Sequence, residues 1–88
     1  MSKGRVWTVE IVFTEDEDRT RADAVLETGT EAISGWGRSR RNPADPDVPV
    51  IGEDLAASRA LSDLAHHLLH EAASAIEDFE SRPVRLPS

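Results

Sequence analysis

The chain has 88 residues, no cysteine, and 17 Asp or Glu against ten Lys or Arg, a formal net charge of −7. This length holds one domain with a thin core, and the lack of cysteine excludes disulfides, thiolate metal sites and a cysteine nucleophile. The acidic excess repels phosphate backbones at long range, which disfavours nucleic acid as a partner.

With two Trp, two Phe and no Tyr, the core must come from Ala, Val, Leu and Ile. The opening MSKGRVW has no long apolar region, and no run reaches membrane-spanning length. A soluble, cytoplasmic protein without a membrane partner is expected.

From Arg5 to Phe13, Trp7, Val9, Ile11 and Phe13 alternate with Thr8 and Glu10, the period of a half-buried strand. The segment Thr14 to Thr20 carries four consecutive acids and reads as a solvated hairpin turn. A second strand is expected from Thr20 to Thr28, with Ala22, Ala24 and Leu26 inward, and Gly29 turns the chain. A third, Glu31 to Arg41, places Ile33, Gly35, Gly37 and Ser39 inside, where missing side chains allow another element to approach. That register turns Trp36, Arg38 and Arg40 outward; the opposite one would bury Trp36 and expose Ile33.

Three prolines between Pro43 and Pro49 exclude a helix from Asn42 to Gly52 and predict an extended crossover. Beyond it, Leu61, Leu64, Leu68, Ala72, Ile76 and Phe79 recur at helical steps, with Ala57, Ala60, Ala65 and Ala75 beside them. They predict a long amphipathic helix over Glu53 to Glu80, with Glu53 and Asp54 in its first turn. Pro83 lies beyond its end. The expected fold is α+β: a three-stranded antiparallel meander covered on one face by one C-terminal helix, a single domain over 1–80 followed by a flexible tail at 81–88. The other sheet face and both edges stay open, which invites self-association or a ligand.

The run RADAVLETG, then SGWGRSRRNPADPDVPVIGEDLAASRALSDLAHHLL, resembles a family of short actinobacterial proteins of unknown function, over about Arg5 to Glu80. Gly35, Gly37, Arg38, Asn42, Pro43, Asp45, Ile51, Gly52, Leu55, Ala56, Arg59 and Ala60 carry the likeness. It implies a β-β-β-α fold similar to the double-stranded-RNA-binding domain and implies no active site. Gly35, Gly37, Ser39, Arg40 and Arg41 are similar to the Gly-x-Gly-x-Ser-Lys-Lys stretch with which RNA binders grip phosphates. Here the proline-rich insert separates Arg41 from an acidic helix start, the first hairpin is acidic at Glu15 to Asp18, and no helix fits before Arg5. The resemblance therefore implies the shape without the RNA binding.

The strip Trp36, Arg38, Arg40 and Arg41 is the candidate interaction surface, as a cation-π pair on the sheet, an interface anchor or a phosphate platform. The arginines could instead neutralise the loops by pairing with Asp45 or Asp47. His66 and His70 share a helix face with Asp63 and His67 nearby, yet no general-base glutamate follows His66, and the pair lies opposite the core stripe. Asp45, Asp47, Glu53 and Asp54 match no calcium loop, and Ser34 and Ser39 lack a nucleophile elbow. No metal, cofactor or catalytic residue is expected. The function expected is a non-enzymatic interaction or accessory module, bound to a second copy or another protein, with weak nucleic-acid binding through the arginine strip as the alternative.

Overall fold

The computed structural model describes residues 4–80. Three strands, β1 (Thr8–Asp16), β2 (Arg19–Glu27) and β3 (Ala32–Arg40), form an antiparallel meander in the order β1-β2-β3, followed by helix α1 (Pro49–Glu80). The expected α+β architecture is the one observed. The segment 81–88, expected as a tail, lies outside the described residues.

Two boundaries differ from expectation. The acidic stretch is mostly strand: β1 runs through Asp16, β2 resumes at Arg19, and only Glu17 and Asp18 make the turn. Acid is tolerated there because β1 is an edge strand whose Glu15 and Asp16 remain in water. Glu17 takes a left-handed φ of 53° to close this two-residue connection. The helix starts four residues before Glu53, at Pro49, since proline at a first helical position has no amide to satisfy and a φ already suited to the helix. Its first turn therefore holds no acid, and Glu53 and Asp54 fall in the second.

The inner face follows the expected register. Ala22 pairs with Gly37, Ala24 with Gly35, and Leu26 with Ile33. Ala56, Ala60 and Leu64, one per helical turn, complete the buried cluster, with Ile11 and Leu68 packed against it. A Cβ on Gly35 would meet the backbone of Leu64 and Ala60 at under 3 Å, and one on Gly37 the backbone of Ala60 and Ala56. The helix backbone thus rests directly on β3.

This position overturns two expectations about burial. The helix lies over β3 and β2, so of the helix-side residues of β1 only Ile11 packs against the core: Val9 is 44% and Phe13 38% exposed, and Trp7, just before the strand, is exposed as well. On the helix, Leu61, Ile76 and Phe79 belong to the predicted stripe yet lie exposed, Phe79 at 91%. Nine-residue strands span about 30 Å, whereas a helix of 32 residues extends about 48 Å. The last turns project past the sheet.

Gly35→Ala or Gly37→Ala should destabilise by about 3 kcal/mol or more, the upper range for overpacking, because backbone is what must move; urea unfolding monitored by tryptophan fluorescence measures it. Glu17→Gly should stabilise by about 1 kcal/mol by relieving the left-handed strain, read as a higher urea midpoint with an unchanged slope.

Candidate functional site

Three helix side chains close the free edge of β3. Arg59 Nη1 donates to the Arg38 carbonyl at 2.7 Å, the Trp36 amide donates to Asp63 Oδ2 at 3.0 Å, and His67 Nδ1 lies 2.7 Å from the Ser34 carbonyl. A carbonyl only accepts, so that ring nitrogen carries the hydrogen. Asp63 Oδ1 lies 3.5 Å from His67 Nε2. Residues 59, 63 and 67 stand four apart along one flank of α1, matching alternate backbone groups of the strand. Sequence reasoning grouped Asp63 with the histidines as a metal candidate. The structure gives Asp63 and His67 this edge-capping role, leaves His66 and His70 exposed with ring centroids 5.3 Å apart, and brings together no metal-holding cluster among the described residues.

The same contacts fix which backbone groups point outward elsewhere. Ser34, Trp36 and Arg38 turn away from β2, so alternation assigns the β2-facing hydrogen bonds of β3 to odd-numbered residues, and those of β1 to even-numbered ones. Val9, Ile11, Phe13 and Glu15 therefore present their amides and carbonyls along the open edge of β1. Among the described residues, no helix side chain is hydrogen-bonded to that edge in the way that Arg59, Asp63 and His67 are to the other.

The outer sheet face carries the predicted strip with a different membership. Trp36 faces outward and is 46% exposed. The Arg21 guanidinium lies 4.5 Å from its ring centroid and that of Arg38 5.9 Å. Arg21 also forks Asp23 at 3.0 to 3.3 Å, and hydrogen bonding to that carboxylate raises the guanidinium pKa above its ordinary value. In register, Arg21 stands opposite Arg38 and Arg19 opposite Arg40. The result is a block of four arginines. Arg19 and Arg21 were missed as members because their role depends on strand pairing, which no local pattern announces.

Arg41, by contrast, is committed internally. Its Nη2 donates to Asp18 Oδ1 at 2.7 Å and its Nη1 to the Asp45 carbonyl at 2.7 Å, while Nε lies 3.9 Å from Asp47 Oδ1. Its amide donates to the Asp18 carbonyl at 2.7 Å. These bonds tie the crossover to the first hairpin and leave Arg41 out of the outer face. They border a cleft of about 480 Å³ between hairpin, crossover and helix start, lined by acids of both loops together with Arg19, Arg40 and Arg41. Ser39 at its floor donates to the Gly52 carbonyl at 2.8 Å. A second cleft, of about 400 Å³, is lined by Arg19, Arg38, Ser39, Arg40 and Arg59.

A family model described as Rv2632c-like matches residues 5–85. The chain is 44% identical over 80 residues to an uncharacterised protein, Mb1767, of Mycobacterium bovis, covering 91% of this chain and 85% of that one. It is 40% identical over 81 residues to the uncharacterised protein Rv2632c of Mycobacterium tuberculosis, covering 92% and 87% respectively. The crystal structure of Rv2632c superposes with a TM-score of 0.83 at 38% identity, covering 93% of this chain and 98% of that one. These relatives agree with the actinobacterial family that the residues resemble. No helix among the described residues is long and apolar enough to cross a membrane.

Asp63→Ala should lower stability by about 1 kcal/mol, the net worth of one hydrogen bond at a partly exposed site, and speed hydrogen exchange at the Trp36 amide selectively. Equal exchange in variant and parent would show that Asp63 does not hold this edge.

Proposed function

The chain belongs to the Rv2632c-like family, and we propose that it works as a non-enzymatic cytoplasmic interaction module whose first partner is a second copy of itself. The observation that carries this reading is the difference between the two sheet edges. The edge of β3 is closed by Arg59, Asp63 and His67, which is how sheets avoid pairing with other chains. The edge of β1 is nine residues long, carries no such cap among the described residues, and is apolar on its helix side at Val9, Ile11 and Phe13. Leu61 adds exposed apolar surface on the helix flank turned away from Arg59.

Two copies of β1 can pair antiparallel about Ile11. Val9 then faces Phe13 of the other copy, Ile11 faces Ile11, and Glu10 faces Val12, so no carboxylate opposes another. The outward-pointing groups of Val9, Ile11 and Phe13 bond each other, and a six-stranded sheet results with both helices on one side. Neither cleft described above contains a histidine or cysteine to activate its hydroxyls, which favours binding over catalysis. The resemblance to double-stranded-RNA-binding domains adds no support for RNA binding, since Glu15 to Asp18 occupy the first hairpin and Arg41 is engaged by Asp18.

Sedimentation equilibrium at tens of micromolar should give a dimer that tightens with added salt, because two bodies of charge −7 approach each other. Val9→Lys should give a folded monomer with an unchanged circular dichroism spectrum. A folded parent monomer under these conditions would overturn the reading.

A further inference from the structure

In a chain with seven more acids than bases, four of the arginines, Arg19, Arg38, Arg40 and Arg59, line one cleft whose own lining holds no carboxylate, with Arg19 and Arg40 shared with the acid-lined cleft beside it. Strand pairing opposes this grouping. Arg19 stands directly opposite Arg40, and Arg38 opposite Arg21, at sites that are not hydrogen-bonded between β2 and β3, where side chains come closest and like charges destabilise. Among the described residues, none of the four cleft arginines forms an ion pair. Asp18, the neighbour of Arg19 in sequence, is taken by Arg41. Arg59 places one nitrogen on the Arg38 carbonyl, which fixes its guanidinium at the rim with further donors to offer.

We propose that this cleft binds a compact oligophosphate, the phosphate end of a nucleotide or an inorganic polyphosphate of a few units. Guanidinium forks match phosphate oxygens in pairs, and four of them call for several negative charges within one small volume. The cleft, at about 400 Å³, is of the size that holds small ligands. The acidic body opposes a long polyanion that must run over it, and penalises a short one less. A base has no platform beside the cleft, because Arg21 already covers Trp36 at 4.5 Å. The contacts on offer therefore read phosphate and not nucleoside.

Calorimetric titration of the full chain at about 50 mM salt with inorganic triphosphate, ATP and a single-stranded RNA oligonucleotide tests the assignment. Triphosphate and ATP should bind one to one with affinities within about threefold of each other, and about tenfold more weakly in Arg40→Gln and in Arg59→Gln. Arg5→Gln, outside the cleft, should bind as the parent does. Without anion, Arg40→Gln should unfold at a higher temperature than the parent, since it relieves the opposed pair, so that weaker binding is not mistaken for unfolding. The proposal is overturned if triphosphate shows no saturable binding, if Arg5→Gln weakens it as much as Arg40→Gln, or if ATP exceeds triphosphate by more than about tenfold, which would mean nucleoside recognition. It is likewise overturned if RNA binds more tightly than either, which would assign the face to a nucleic-acid strand.

Discussion

The contact between the helix backbone and two glycines of β3 organises this molecule. Gly35 and Gly37 leave room for Leu64, Ala60 and Ala56 to lie against the strand with no side chain between, and Ala22 and Ala24 continue that smooth floor on β2. Burial here is dense though its residues are small. Among the described residues no large side chain is fully buried, so cohesion rests on close packing over a short seam, where an added methyl has nowhere to go.

Because that seam lies on β3, the helix sits off the centre of the sheet. Its outer flank reaches over the β3 edge, where Arg59, Asp63 and His67 satisfy the strand's free backbone groups. The opposite side of the sheet receives no such cover. Val9 and Phe13 share a face with the core residues Leu26 and Ala22 across the pairing, yet they meet solvent. A chain with a thin core has thus closed one edge with polar groups and left the other apolar, and this asymmetry gives an interaction surface its direction.

Charge is arranged with a similar economy of residues. Arg41 holds the first hairpin and the crossover together through Asp18 and the Asp45 carbonyl. Arg21 is divided between Asp23 and the Trp36 ring. Arg19, Arg38, Arg40 and Arg59 are the arginines left around one cleft. Their grouping follows from strand register and from a helix turn placed above the edge, and not from proximity in sequence.

Period-two alternation in β2 and β3, the small inner residues at 35 and 37, and helical spacing after Gly52 were legible in the sequence because each is a local rule of side-chain direction. They determined the order β-β-β-α, the inward set Ala22, Ala24, Leu26 and Ile33, and the outward turn of Trp36. The length of the acidic hairpin was not legible, since high charge reads as loop although an edge strand tolerates it in water. Nor was the start of the helix, because Pro49 reads as a breaker unless it is known to stand at the first turn. Only the tertiary structure decided where along the sheet the helix would settle. That choice removed Leu61, Ile76 and Phe79 from the core, left Val9 and Phe13 of β1 exposed, turned Asp63 and His67 into edge caps, and drew Arg59 to the Arg19, Arg38 and Arg40 that strand register had grouped. Helical periodicity specifies which face of a helix is apolar, whereas the strand it rests on is set by which backbones can touch.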